Sequence, residues 1–536
     1  MSLSAKNLTH QVGTARCAAT HTLVQCRCPL QKCRVNLFDF LIDAARHSPD
    51  REALVEGMRC ITYKDALQAA HKLGAALQAR GIRPGDRVAC LLPNTIEHYL
   101  AYFAIAGSGA ILVSLNTRLA AQELRDIVWD AGATLLLHDD STAALAAEID
   151  AAFSHGKHTV PALLAHVTAN AFCRAQEDCC DDVAHIYYTS GTTGKPKGVM
   201  LSHQNICTHA KAAVQELSLC KTDRWAHLAP MFHLADAWAT FAITAVAGTH
   251  VFLPRFTPTS ALQVLALERI TITNLVPTML NLMVKEPSAA QHSYSVRAML
   301  SGGASIAPTV VQQILTTFCC DYIQTYGMTE TSPYLTLSLL GEDERRLPPD
   351  EQLRLKCRTG RPFLGVELKV VDDTGCKVAC DDLAVGEIRV RGKTVTKGYW
   401  RNPEATAAAF DDEGFLCTGD LATIDARGYV NIVDRKKDVI KTGGETVYST
   451  EVENVLYRHP AILECAVFGV PDPVWGEQVA AAVVLREAQR ATAEELIEFC
   501  CLAIARFKAP RCVRFLLELP KTGSGKIQKR ALRERW

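Results

Sequence analysis

Three stretches of the sequence predict an α/β protein. The expected architecture is a large N-terminal domain of parallel and mixed sheets with flanking helices, a β-rich subdomain, and a small α+β C-terminal domain. Residues 88–92 read as a continuous apolar strand, 95–106 as a helix and 110–115 as a second strand, which together make a βαβ unit with a parallel pair and a right-handed crossover. Short strands at 366–371, 386–390 and 429–433, separated by turns such as Asp372-Asp373-Thr374-Gly375, predict the β-rich part. The C-terminal stretch alternates again: helix 450–458, strands 464–469 and 479–485, helix 493–505, strand 513–517. A chain of 536 residues is too long for one compact core, so two or more domains are required.

Residues 1–35 differ from the rest. They carry five Lys/Arg, no acidic residue, and Cys17, Cys26, Cys28 and Cys33. A basic, acid-poor leader reads as an organelle presequence or as a disordered extension, and both readings stand. The cysteine spacing is not that of a metal site. From Asn36 the pattern is globular: a helix at 66–79 places Leu67, Ala70, Gly74 and Leu77 on one face, and further strands are expected near 249–253 and 296–301. Residues 335–362 read as a charged, proline-containing connection. A charged cluster at Asp434-Arg435 marks the expected boundary, giving an extension 1–35, a body 36–434 and a C-terminal domain 435–536.

Composition excludes several function classes. Lys+Arg and Asp+Glu are equal at 57 each, so no global field draws the chain to nucleic acid or to anionic membrane. Twenty-one cysteines, with three vicinal pairs and no Cys-x-x-Cys, suit reduced thiols in an intracellular protein better than a disulfide framework. No run of 18 apolar residues predicts a membrane span. The location expected is cytoplasmic, or an organelle such as the mitochondrion if residues 1–35 are a presequence; a homodimer stays open.

The chemistry is carried by short motifs. Tyr188-Thr189-Ser190-Gly191-Thr192-Thr193-Gly194-Lys195-Pro196-Lys197-Gly198-Val199 follows an apolar strand at 183–189. Glycines let backbone N–H groups approach an anion, hydroxyls add donors and lysines add charge, so the segment is suited to polyphosphate. It is not a Walker A loop, because Lys195 is followed by proline and a strand-like run instead of a helix. Ser301-Gly302-Gly303-Ala304 follows a strand, where bare backbone lets a flat ligand lie close. Gln324-Thr325-Tyr326-Gly327-Met328-Thr329-Glu330-Thr331 offers an aromatic face at Tyr326, a hydroxyl at Thr329 and, at Glu330, a hard oxygen ligand for Mg²⁺ beside phosphates. Asp420, after a turn at Thr418-Gly419, can accept two ribose hydroxyls, and Arg435 is permanently charged. Lys526 sits in Pro520-Lys521-Thr522-Gly523-Ser524-Gly525-Lys526-Ile527, flexible enough to deliver one lysine into a site. Lys441-Thr442-Gly443-Gly444-Glu445 pairs another lysine with a narrow backbone.

Taken in order over residues 36–536, these motifs resemble those of the adenylate-forming (AMP-binding) superfamily, in its acyl-CoA synthetase branch. The resemblance implies an AMP-forming acid–thiol ligase that uses ATP, Mg²⁺ and coenzyme A. Residues 189–195 would grip the β- and γ-phosphates. Tyr326 would pack on adenine, with Gly302, Gly303, Ala304, Gly327 and Met328 also in the nucleotide site, Thr329 on the α-phosphate and Glu330 on the Mg²⁺. Asp420 would hold the ribose, and Arg435 the ribose or a phosphate. Lys526 would contact both the carboxylate and the α-phosphate; removing a preorganised charge of this kind costs about 10²–10³ in rate. Lys441 would serve thioester formation after the C-terminal domain, a mobile lid, turns about a hinge at Lys437. The run Thr446-Val447-Tyr448-Ser449-Thr450 departs from the commoner family version, which puts fine assignments in the thioester step in doubt.

His233, in Pro230-Met231-Phe232-His233, resembles the histidine that gates the acyl tunnel in acyl-CoA synthetases and luciferases. It stands where amino-acid-activating relatives carry an aspartate, although Asp236 is near. Gly327 replaces the tryptophan that shortens the pocket of acetate-specific relatives. Trp238, Val276, Thr278, Met328 and Tyr334 are then candidate pocket liners, and the expected substrate is a medium-chain or longer fatty acid, with an aryl acid second. The sequence ends ten residues after Lys526, which makes coenzyme A the expected acceptor. Alternatives are a luciferase-like monooxygenase and a stand-alone enzyme that loads a carrier protein.

Overall fold

The computed structural model describes residues 36–149, 151, 153–165, 167, 172–175, 182–189, 196–304, 306–521 and 527–536. The readings made on residues 1–35, on Ser190, Gly191, Thr192, Thr193, Gly194 and Lys195, and on Lys526 lie outside them.

Local signals set the elements that carry the site. Thr62 and Thr95 accept the backbone N–H groups of Asp65 and His98, and so start the helices Tyr63–Ala79 and Ile96–Gly107. The first buries Ala70, Gly74 and Leu77, as its apolar face requires, and a Cβ on Gly74 would come 2.3 Å from the Phe172 ring. The expected βαβ unit is present: Arg87–Leu91 and Ile111–Ser114 pair in parallel, with the helix Ile96–Gly107 between them in sequence.

Among the described residues the strands form four sheets. A six-stranded sheet runs, by first residue, in the order Lys157, Leu135, Arg87, Ile111, Val183, Lys197. A nine-stranded sheet runs in the order Arg361, Tyr334, Asp321, Ala298, Ile272, Arg224, Thr249, Glu52, Arg59. Its strands from Asp321 to Glu52 are parallel and both margins are antiparallel. Buried parallel strands flanked by helices need apolar residues on both faces, which is why Leu135–His138 and Ile111–Ser114 read as unbroken apolar runs. The predicted β-rich part is an antiparallel sheet of Val366–Val371, Gly386–Gly392, Leu416–Ile424 and Val430–Arg435. The C-terminal part is a five-stranded sheet with the helices Ser449–Leu456, Ala493–Ala503 and Lys529–Glu534.

Two expectations are corrected. Residues 335–362 are more than a connection: Tyr334–Leu337 and Arg361–Pro362 extend the large sheet, and Pro349–Lys356 is a helix opened by proline. Charge and proline masked a short helix whose inward residues are few. Asp420 also does not follow a turn; it lies within the strand Leu416–Ile424, where Gly419 takes φ +72° inside the irregular pairing with Gly386–Gly392. Every cysteine among the described residues is a free thiol, and none of the described helices is long and apolar enough to cross a membrane.

Candidate active site

The site is built at the carboxyl ends of Ala298–Gly302 and Asp321–Gly327, adjacent parallel strands of the large sheet, where α/β proteins bind ligands. Tyr326 donates its phenolic hydrogen to Asp420 Oδ2 at 2.7 Å, and Arg435 Nε lies 3.3 Å from Asp420 Oδ1. Asp420 and Arg435 face each other across the neighbouring strands Leu416–Ile424 and Val430–Arg435. Burial and the adjacent Asp420 carboxylate push the Tyr326 phenol well above its ordinary pKa, so it remains a donor. The Arg435 side chain is half exposed, so the ion pair itself adds little stability and its value is positional.

Gly302 and Gly327 are bare because backbone and side chains crowd them. A Cβ on Gly302 would stand 2.2 Å from Thr325 Oγ1. One on Gly327 would stand 1.9 Å from the carbonyl oxygen of Pro333, in the bulged pairing with Tyr334–Leu337. The chain crossing therefore demands glycine at 327, and its presence is not an independent measure of pocket depth. Gly303 takes φ +87°, and the Ala304 carbonyl accepts from Gln324 Nε2 at 3.1 Å.

Beyond Gly327 the chain turns through Met328 into the single turn Thr329–Thr331. Glu330 is 7% exposed. Its Oε1 accepts from the Tyr399 hydroxyl at 3.0 Å, and its backbone carbonyl accepts from the Thr396 N–H at 2.7 Å. No group of three or more His, Cys, Asp or Glu that could hold a metal occurs among the described residues. A single buried carboxylate fits Mg²⁺, an ion that keeps waters and substrate phosphates as most of its ligands. Tyr399 was missed in the sequence, where no motif in Gly398-Tyr399-Trp400 links it to Glu330.

The phosphate-loop reading rests on its flanks. Val183–Thr189 and Lys197–Ser202 pair antiparallel, with Thr189 opposite Lys197. The next described element after residues 190–195 is therefore a strand and not a helix. Lys197 Nζ lies 5.2 Å from the centroid of the Tyr399 ring. Likewise the Lys526 segment spans Lys521 and Ile527, which form an antiparallel bridge.

On the acid side His233 occupies the N-cap of the helix Leu234–Ala245, its ring edge-on to Phe232 at 4.8 Å. Asp236 is fully buried and already engaged: it accepts from Trp225 Nε1 at 3.3 Å and from His227 Nδ1 at 2.5 Å. Burial lifts its carboxyl above the ordinary value against the pull of His227. Trp238 and Tyr334 are buried against one another at 5.1 Å, with His209 and Phe363 beside them. Val276 and Met328 are half-buried, whereas Thr278 is exposed.

Lys441 is not brought to this cluster. It lies on the hairpin of Ile440–Thr442 and Glu445–Val447, exposed, with Nζ donating to Thr446 Oγ1 at 2.7 Å and N–H to Glu477. Gly443 and Gly444 form the turn, both with positive φ.

The sequence of this chain matches the model of the AMP-binding enzyme family over residues 41–400, and that of the AMP-binding enzyme C-terminal domain over residues 451–526. The chain belongs to the AMP-binding enzyme family. A feruloyl-CoA synthase of Amycolatopsis sp is 36% identical to this AMP-binding enzyme over 500 residues, which cover 92% of this chain and 97% of the relative. A long-chain-fatty-acid–CoA ligase of Thermus thermophilus is 35% identical over 521 residues, covering 94% and 96%. Among solved structures, the o-succinylbenzoate CoA synthetase from Bacillus subtilis in complex with its acyl-adenylate intermediate superposes with a TM-score of 0.83 at 30% identity, covering 93% of this chain and 98% of that one. The mixed α/β architecture with its small C-terminal part is thus that of adenylate-forming enzymes.

Proposed function

We propose that this AMP-binding enzyme activates an apolar-tailed carboxylic acid with MgATP and passes the acyl group to coenzyme A. The chain is an AMP-forming acid–thiol ligase, and its cofactors are ATP, Mg²⁺ and coenzyme A. The observation that carries the site reading is the convergence of Tyr326, Asp420 and Arg435, with Glu330 one turn further along the same chain. In this reading adenine lies against Tyr326 and the backbone of 302–304, Asp420 and Arg435 take the ribose, and Thr329 takes the α-phosphate. Residues 189–195 hold the β- and γ-phosphates. Glu330 holds Mg²⁺, whose charge, when bound, offsets that of the phosphate oxygens. The acid's carboxylate oxygen attacks the α-phosphorus, pyrophosphate leaves, and Lys526 offsets the charge that builds between carboxylate and phosphate. The coenzyme A thiol then displaces AMP from the acyl-adenylate, with Lys441 carried inward on the C-terminal domain 435–536 as it turns about Lys437 against the body 36–434.

Asp236 supports the choice of acid. With both oxygens committed to His227 and Trp225, it is not placed to hold a substrate ammonium, so amino acids are disfavoured. We place a medium-chain or longer fatty acid first, gated by His233. An aryl acid is the second reading, favoured by the aromatic packing of Trp238, Tyr334 and Phe363.

Acid-dependent ATP–pyrophosphate exchange across fatty, aryl and amino acids, followed by thioester detection with coenzyme A, tests this. Exchange with fatty or aryl acids is expected, and exchange with amino acids alone would overturn the reading. Lys526→Ala is expected to lose about 10²–10³ of exchange. Lys441→Ala is expected to keep exchange and slow thioester formation from preformed adenylate; equal loss of both steps in both variants would contradict the domain rotation.

A further inference from the structure

The residue that fixes Glu330 comes from a segment with no assigned role. Three consecutive backbone N–H groups around Tyr399 are committed: Gly398 donates to Thr396 Oγ1 at 3.1 Å, Tyr399 to Thr406 Oγ1 at 2.9 Å, and Trp400 to the Gly198 carbonyl at 2.7 Å. Met200 N–H donates to the Gly398 carbonyl at 3.1 Å, and Tyr399 bridges Val199 across the gap. A Cβ on Gly398 would stand 2.3 Å from Thr406, so this turn accepts only glycine beside Tyr399. The segment is therefore stitched to the strand that leaves the phosphate loop, and its phenol is held at a fixed point over Glu330. A hydroxyl donated to one carboxylate oxygen restricts the rotation of that carboxylate and biases where its lone pairs point. Lys197 over the ring face adds a cation–π attraction that further holds the ring in place.

We propose that Tyr399 is a positioning residue for Mg²⁺: it orients the Glu330 carboxylate and ties it to the strand Lys197–Ser202, so that the metal carboxylate keeps one place relative to that strand. Tyr399 touches neither substrate nor metal in this account and acts through Glu330. The inference rests on the reading of Glu330 as the metal carboxylate, and its test separates the two.

The test is equilibrium ATP binding by the whole chain without acid or coenzyme A, titrated with MgCl₂ and repeated in EDTA. Tyr399→Phe keeps the ring under Lys197 and removes only the hydroxyl. Its Mg²⁺ midpoint is expected to rise about tenfold, the usual scale for losing a group that orients a metal ligand. ATP binding in EDTA is expected to stay as in the wild type, and the melting temperature to fall only by the scale of one lost hydrogen bond. Tyr399→Leu, which also removes the ring, is expected to shift the midpoint at least as far. An unchanged midpoint in Tyr399→Phe, or an equal loss of ATP binding with and without Mg²⁺, would overturn the proposal. Glu330→Gln distinguishes the levels: if it leaves the midpoint unchanged, the metal reading of Glu330 fails; if it raises the midpoint while Tyr399→Phe does not, only the role of Tyr399 fails.

Discussion

Single atoms decide what several residues of this site can do. Tyr326→Phe keeps the aromatic face and removes one hydrogen bond to Asp420, a net loss of about 1 kcal/mol. The KM for ATP in the exchange reaction is expected to rise about fivefold, with the acid's KM unchanged. Gly327→Ala is a different kind of change. Its methyl would meet a backbone oxygen, which cannot swing aside as a side chain can. The expected result is a destabilisation of about 2–3 kcal/mol, seen in the urea midpoint, and not a narrower range of acids. At this scale the sequence was partly legible. Tyr326, Glu330 and Asp420 could be nominated because each sits in a motif with its own chemistry. Tyr399 could not, since its partner lies 69 residues away and only the fold joins them. The engagement of Asp236 was hidden as well, because it lies on the helix Leu234–Ala245 while His227 and Trp225 reach it from the strand Arg224–His227.

Among elements, the junction between body and C-terminal domain carries the most information. Asp434, before the proposed pivot, accepts both the backbone N–H and the hydroxyl of Ser449, after it. Lys529 donates to the same hydroxyl at 2.6 Å and pairs with Glu453 at 2.8 Å, and Arg533 pairs with Asp438 at 3.0 Å. The helix Lys529–Glu534 is thereby fastened to residues that follow Lys437, and through Ser449 to Asp434 before it. Asp434→Ala leaves the buried Ser449 N–H without its acceptor. It is expected to change the ratio of exchange rate to thioester rate by about fivefold, with Ser449→Ala moving the ratio in the same direction; that scale corresponds to one hydrogen bond. An unchanged ratio in both variants would show that this junction does not discriminate between domain orientations. The helices at 449–456 and 493–503 and the strands between and after them were legible to within a few residues from their alternation, whereas the helix Lys529–Glu534 and the hairpin of Ile440–Thr442 and Glu445–Val447 were not. The departure at Ser449 was visible as well, but its meaning was not, because a capping partner on another domain leaves no local pattern.

For the whole molecule, the buried histidines set the response to acid. Burial lowers His98 and His203 to about 4 and His209 to about 3, and holds His185 and His250 well below the ordinary 6.5. Two are seen as neutral acceptors: His203 Nδ1 takes the Leu37 N–H and His209 Nε2 takes the Tyr334 N–H. Unfolded histidine binds a proton below about 6.5 and the folded ones do not, so the unfolded state gains protons as the pH falls. Their contribution is complete above pH 6.5 and is lost as the pH drops toward 4. Each removes about 1.4 kcal/mol per pH unit in that window. Urea midpoints at pH 7.5, 6.0 and 5.0 are expected to fall steeply over the last step, and a flat series would contradict neutral burial. The fold class was legible because βαβ alternation and turn spacing are local, while the pairing of distant strands into one nine-stranded sheet was not.

The stitching of Trp400 to Gly198 and of Gly398 to Met200 joins segments about two hundred residues apart. A ribosome moving at about 5–20 residues per second needs roughly 10–40 s to travel between them. The nascent phosphate loop therefore waits, unbraced, while the intervening strands and helices are synthesised. A chain cut short before residue 396 would carry the loop sequence without the segment that pairs with the strand Lys197–Ser202.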